Sequence, residues 1–254
     1  MSGLVWITGA SQGLGRQAAL EFAKRGWRVA ATARNEENLK SLEAEAAGHL
    51  GDVTAFPGDV TDPKRMAEVI SEIETQLGDI TTAVLNAGTY YPMMGRDFSA
   101  ETVRKQFEAN VMGAAWPLEH LIPRMIARKR GRIYLVASVS GYCGLPRAGA
   151  YGMTKAGLIN LAESLRTELK PLGVTVGVVN PGFIDTPLTQ KNEFPMPMLM
   201  PVDKAAREMV DGVLSGKFEV VFPRTFVWLM KLGRMLPYGL YFPLARYVTR
   251  GREA

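Results

Sequence analysis

The sequence predicts an α/β fold built on a doubly wound parallel sheet. Two observations carry this expectation. Short β-rich apolar runs alternate with longer stretches of helical period, the pattern of a parallel sheet covered on both faces. Glycine-rich and polar residues follow directly after those runs, at the carboxyl edge where such sheets bind ligands. A third is scale: 254 residues, 47% hydrophobic and 22% charged, suit one large domain with a sizeable core and an ordinary globular balance.

Strands are expected at residues 4–7, 28–32, 53–56, 82–85, 132–136 and 174–179, with a seventh at 218–222. Each is short, rich in Val, Ile, Leu, Ala or Thr, and lacks the strict alternation of a sheet with one wet face. Helices are expected at 14–24, 36–46, 64–77, 103–127 and 152–169, where apolar residues recur at helical spacing. Right-handed crossovers then give a Rossmann-type sheet. No internal repeat, low-complexity tract or linker breaks the pattern, so residues 1–222 form one domain and 223–254 an extension.

The formal net charge is +5 and the pI about 9.3, but no Lys/Arg run exceeds Arg128-Lys129-Arg130, and no nucleic-acid partner is expected. The excess reads as local ligand chemistry plus a basic C-terminal segment. A single cysteine, Cys143, excludes an intramolecular disulfide and fits a reducing compartment. With no charged n-region, apolar h-region and cleavage site ahead of Leu4, a cytoplasmic protein is expected. His49 and His120 stand in stretches that read as helical, without Cys or His at ligand spacing, so no metal site is expected.

After the first strand come Thr8, Gly9, Ala10, Ser11, Gln12, Gly13, Leu14 and Gly15, running into the first helix. Glycines let the backbone turn tightly against a pyrophosphate, and the helix start offers free N–H groups at the positive end of its dipole. A structural turn would also use glycine; the position between first strand and first helix favours a dinucleotide. The second strand ends at Thr32, Ala33 and Arg34. Ala33 has no carboxylate for the adenosine ribose, whereas the Arg34 guanidinium suits a 2′-phosphate, which points to NADP(H) over NAD(H) unless Arg34 is only a solvated surface residue.

Tyr151 and Lys155 stand one helical turn apart, on one face. An ammonium beside a phenol stabilises the phenolate, so Lys155 is expected to lower the Tyr151 pKa and make it an acid–base catalyst. Ser138, just after the fifth strand, would bring its hydroxyl to the same edge. Singly, each residue has a structural explanation; together they describe a site for a carbonyl.

In this combination the chain resembles the short-chain dehydrogenase/reductase family from about Leu4 to about Thr186. The resemblance rests on the glycine turn, Asp59-Val60 after the third strand, Asn86-Ala87-Gly88 after the fourth, Asn110, Ser138, the Tyr151/Lys155 pair, and Pro181-Gly182 leading to Thr186. It implies a catalytic tetrad of Asn110, Ser138, Tyr151 and Lys155. Ser138 would position the carbonyl oxygen, Tyr151 would donate the proton, Lys155 would bind the nicotinamide ribose, and Asn110 would hold a relay water. It also implies that Asp59 and Val60 address the adenine, Asn86, Ala87 and Gly88 line the cofactor channel, and Ile184 and Thr186 hold the carboxamide. The competing reading is a non-catalytic NADP(H)-binding sensor or scaffold on the same fold, which would not need a proton donor.

The chain departs from many tetrameric members of that family after Phe222. In place of a final acidic-glycine tail it carries an apolar, aromatic and basic segment running to Tyr247, so a homodimer through the long helices is expected instead of a tetramer. Lys231, Arg234, Pro237 and Pro243 interrupt the segment too often for a membrane span. It would pack over the cleft or a partner subunit, or lie on a membrane surface. The substrate is expected to be a carbonyl or secondary alcohol of lipophilic or acyl type. The loops thought to surround it, 89–94, 141–146 and a lid at 194–200, are rich in Met and aromatics; Cys143 would stand near this pocket.

Overall fold

The computed structural model describes residues 3–191 and 196–249. Seven strands form one parallel sheet: β1 (Leu4–Thr8), β2 (Arg28–Thr32), β3 (Val53–Ala55), β4 (Thr82–Leu85), β5 (Gly131–Val136), β6 (Val174–Pro181) and β7 (Glu219–Phe222). Their order is β3-β2-β1-β4-β5-β6-β7, the Rossmann arrangement, with Val5 opposite Val29 on one side and Thr82 on the other. Every residue of β1 and β4 is buried. That explains the near-continuous apolar runs, since both faces are covered.

On one face lie α1 (Gly13–Lys24), α2 (Glu36–Ala46) and α7 (Val202–Leu214), enclosing Ile7, Phe22, Leu39, Met209 and Phe222. The other face carries α3 (Pro63–Leu77), α5 (Gly113–Ala127) and α6 (Gly149–Leu169), around Trp6, Ile70, Leu121, Ile133 and Leu158. The Trp6 indole N–H donates to Thr32 Oγ1 at 2.8 Å, which satisfies the one polar atom of the largest fully buried side chain.

Three differences from the sequence expectation matter for the site. The helix expected at 103–127 is two, α4 (Ala100–Phe107) and α5, joined by a π turn over Glu108–Met112 that carries Asn110. Helix α7 and two C-terminal helices, α8 (Arg224–Met235) and α9 (Tyr238–Thr249), add to the expected set. Of the expected lid, Phe194 and Pro195 lie outside the described residues. His120 is on α5, but His49 lies in the bend after α2, not in a helix.

Strand order reverses between β1 and β4, so the helices that follow them diverge and leave a crevice at their carboxyl ends. The crevice is stitched at its base. Thr8 Oγ1 accepts from the Asn86 and Ala87 amides at 3.0 and 3.1 Å, and Asn86 Nδ2 donates to Thr8 O at 3.0 Å.

Candidate active site

The crevice opens into a cleft of about 1930 Å³. Its floor at one end is the glycine turn. Gly9 and Gly13 have φ of +68° and +58°, left-handed values that cost an L side chain energy. A Cβ at Gly9 would stand 2.8 Å from Ala87 Cα, and one at Gly15 would stand 2.4 Å from Asn86 Nδ2, so any side chain there would fill the cradle or force the turn apart. Gln12, the N-cap of α1, makes no side-chain capping bond, and the first turn of α1 holds no acid. The helix therefore presents free N–H groups and positive dipole to the cleft, as an anion such as pyrophosphate requires. A dinucleotide fits this cradle.

Ser11, Gln12, Leu14 and Gly15 line the cleft with those glycines. Arg34 stands on its rim, 80% exposed, with Nη1 3.8 Å from Asp59 Oδ2. Asp59 is itself held by the Thr61 amide and hydroxyl, both at 2.9 Å, and Val60 follows it along the wall. Asn86, Ala87 and Gly88 form the middle of the cleft, and Pro181, Gly182, Ile184 and Thr186 close it from the end of β6. Backbone bonds of Asp185 N–H to Met200 O and Met200 N–H to Phe183 O, both 2.9 Å, tie down that last segment.

Ser138 follows β5 in extended backbone, and its Oγ accepts from the Ser140 amide at 3.3 Å. The Tyr151 phenol stands close enough to this serine for the Ser138 hydroxyl to lower its pKa. Lys155, one turn later on α6 and only 3% exposed, lies under the same phenol, with Nζ 5.4 Å from the ring centroid and donating to Val136 O at 2.8 Å. Tyr90 packs edge-on against Tyr151, centroids 5.2 Å apart. Ser138, Tyr151 and Lys155 all face the cleft.

The titration of this pair corrects the expectation that Lys155 lowers the phenol. Burial pushes Tyr151 up to about 12; the Ser138 hydrogen bond pulls the other way and Tyr90 adds to the rise. Burial also brings Lys155 down to about 8. Loss of hydration is the largest cause on both sides. Tyr151 is thereby held as a protonated phenol, the form of an acid waiting to donate.

Asn110 is placed differently from the other expected residues. It is 1% exposed and stands behind the cleft wall, where its Oδ1 accepts from Thr89 N at 2.6 Å. Its Nδ2 donates to Thr89 O and to Thr154 Oγ1, both at 3.0 Å. Thr154 in turn donates to Tyr151 O at 2.7 Å. Both ends of the amide brace the loop after β4 against α6.

Against known families, the short chain dehydrogenase model matches residues 4–195. The chain belongs to the short-chain dehydrogenase family. It is 39% identical over 244 residues to an "uncharacterized oxidoreductase" of Myxococcus xanthus, covering 94% of this chain and 95% of the relative. Human 17-beta-hydroxysteroid dehydrogenase 13 is 30% identical over 237 residues, 92% of this chain and 79% of that one. A short-chain dehydrogenase of Sphingobium yanoikuyae solved in complex with NADPH superposes with a TM-score of 0.80 at 25% identity, covering 99% and 98%. Its relatives are oxidoreductases of this family, and a nicotinamide cofactor belongs to the fold.

Loops and two C-terminal helices complete the wall of this cleft. Tyr90, Tyr91, Met94, Leu145 and Pro146 line it as the apolar loops implied, but Phe226 and Met230 of α8 and Arg246 of α9 also reach it. The sequence reading missed these three. It also missed Asn35 and Asn38 beside Arg34, and Thr154 behind the wall, which links Asn110 to Tyr151 O. Tyr142 turns away, its hydroxyl donating to Glu219 Oε1 at 2.6 Å, and the half-buried Cys143 stands beside Tyr241 instead of lining the cleft.

Proposed function

We propose that the chain is an NADPH-dependent oxidoreductase interconverting a lipophilic carbonyl compound and its secondary alcohol, with Tyr151 as the acid. The observation that carries this reading is that Ser138, Tyr151 and a buried Lys155, its Nζ 5.4 Å from the Tyr151 ring centroid, face one cleft that also holds an anion cradle. The glycine turn would hold the pyrophosphate, Arg34 the 2′-phosphate, Asp59 and Val60 the adenine. Asn86, Ala87, Gly88 and Lys155 would hold the nicotinamide riboside, with Pro181, Gly182, Ile184 and Thr186 at the carboxamide.

The bound cofactor supplies hydride to the carbonyl carbon, and the chain's own groups do the rest. Ser138 orients the carbonyl oxygen by donating a hydrogen bond, and Tyr151 delivers the proton to that oxygen, giving the alcohol. Lys155 offsets the charge left on Tyr151. Asn110 acts as a positioning residue, holding Thr89 and the start of α6 in register. The lipophilic class is supported by the Tyr90, Met94, Phe226 and Met230 wall and by a relative named for a hydroxysteroid. A cytoplasmic setting, on the single Cys143, and a homodimer through α4, α5 and α6 belong to the same proposal.

The test is NADPH oxidation against a panel of apolar ketones and aldehydes alongside sugars, with Tyr151→Phe in parallel. Expected is turnover on apolar carbonyls that falls by about 10²–10⁴-fold in the variant, while NADPH titrates both proteins alike. Undiminished turnover in Tyr151→Phe sinks the mechanism; NADPH binding with no turnover on any carbonyl favours the sensor reading.

A further inference from the structure

The charge of the chain is not spread over its surface. Of 30 basic and 25 acidic residues, six and one lie past Phe222, which leaves 24 of each in the rest. The whole excess of +5 therefore belongs to the last 32 residues.

The same segment holds the exposed apolar surface. Half of the large apolar side chains exposed among the described residues lie on α8 and α9, with Trp228, Leu232 and Met235 on the first and Leu240, Phe242 and Leu244 on the second. Single exposed apolar residues need no explanation, but eight on two consecutive helices do. Neither helix contains an acidic residue.

Only one side of this helix pair is used by the fold. Phe226 and Val227 are buried against Val139 and Tyr142, Arg234 Nη1 donates to Tyr142 O at 2.6 Å, and Tyr241 donates to Gly144 O. The pair thus closes on the loop bordering the cleft, while Trp228, Leu232, Met235, Leu240, Phe242 and Leu244 stay exposed on a segment of net positive charge.

We infer that α8 and α9 form an interfacial docking surface for an anionic lipid bilayer. Apolar side chains enter the acyl boundary, the net positive charge of the segment draws it to anionic headgroups, and the two contributions add. No helix among the described residues is long and apolar enough to cross a membrane, and each of the two has 12 residues, so they lie in the interface plane. The cleft mouth is then next to the bilayer, so a lipophilic substrate enters from the lipid. That last consequence rests on the reductase reading; the docking does not.

The experiment is sedimentation of the full chain with phosphatidylcholine vesicles, with and without phosphatidylglycerol, at low and high salt. Expected is binding at least about tenfold tighter to the anionic vesicles, weakened by salt, with tryptophan quenching by brominated lipid that disappears in Trp228→Phe. The double variant Leu232→Glu/Leu240→Glu should lose vesicle binding by about tenfold or more while its thermal unfolding is unchanged. Absence of binding to every vesicle overturns the proposal, as does undiminished binding of the double variant. A dimer in lipid-free solution that the same substitutions dissociate would also overturn it, assigning the face to a second copy. Vesicle binding without carbonyl turnover would leave the docking standing and the reductase reading failed.

Discussion

At the scale of single residues, Lys155 carries the cost of a buried ammonium. Burial holds its folded value at about 8, against 10.5 for an ordinary lysine. Between these values the unfolded chain binds a proton that the folded chain has shed. Stability from this site therefore rises with pH through that window, and below about 8 the penalty is present in full. Lys155→Met removes it, so the stability of the native chain minus that of the variant should grow by about 1.4 kcal/mol per pH unit between about 8 and 10. Urea unfolding at several pH values measures this, and a flat difference would contradict a buried ammonium. Arg34 is a surface counterpart: 80% exposed, with one carboxylate 3.8 Å away, it is open to a phosphate at little desolvation cost. Arg34→Asp should weaken NADPH by about 10–100-fold and NADH far less, since charge-assisted hydrogen bonds to a phosphate are worth about 1.5–3 kcal/mol. Equal loss for both cofactors in a fluorescence titration rules out the 2′-phosphate role.

At the scale of elements, the site depends on how β1 and β4 part. Thr8 Oγ1 accepts two amides from the Asn86-Ala87 turn, and no water replaces that oxygen easily in a buried strand end. Thr8→Val keeps shape and β preference but leaves both N–H groups unpaired, at a cost of about 1–3 kcal/mol each at most. Thermal unfolding should drop and NADPH affinity should fall with it, because the turn that moves lines the cofactor channel; unchanged affinity would show that the stitch is dispensable. What was legible in the sequence is local: the glycine turn, the Tyr151/Lys155 spacing, and the runs that became β1 to β7. The brace at Asn110 was not, since its partners Thr89 and Thr154 are 21 and 44 residues away, and the π turn that seats it has no periodic signal of its own. Helix α7 was hidden for another reason. Its buried Ala205, Ala206, Met209, Val210 and Val213 do recur at helical spacing, but they follow a Met- and Pro-rich stretch that reads as loop.

At the scale of the whole molecule, the C-terminal helices and the catalytic edge meet at one carboxylate. Glu219 of β7 accepts from the Tyr142 hydroxyl at 2.6 Å, from Asn180 Nδ2 at 3.0 Å and from Lys231 Nζ of α8. Those partners come from the serine loop, β6 and α8, and no spacing rule in the sequence links them. Burial pushes the Glu219 carboxyl upward, yet the bonds from Lys231, Tyr142 and Asn180 together outweigh it and leave it below the ordinary carboxylate value of 4.5. A lowered carboxylate contributes stability above its unfolded pKa and loses it as pH falls through the folded value. Glu219→Gln keeps the volume and can still accept from Tyr142, but it strands Lys231. Because Glu219 and Lys231 are partly exposed, the cost is discounted to about 1–3 kcal/mol at neutral pH, or roughly 3–10 °C in melting temperature. The gap from the native chain should narrow as pH falls below 4.5 and through the lowered folded value, where the native carboxyl takes up its proton. Since Tyr142 caps the turn that begins at Ser138, with Tyr142 N–H donating to Val139 O, kcat should fall while NADPH affinity at the far end of the cleft stays constant. An unchanged melting temperature at neutral pH would separate the two halves of the molecule, and with them any route by which lipid contact at α8 reaches the serine loop.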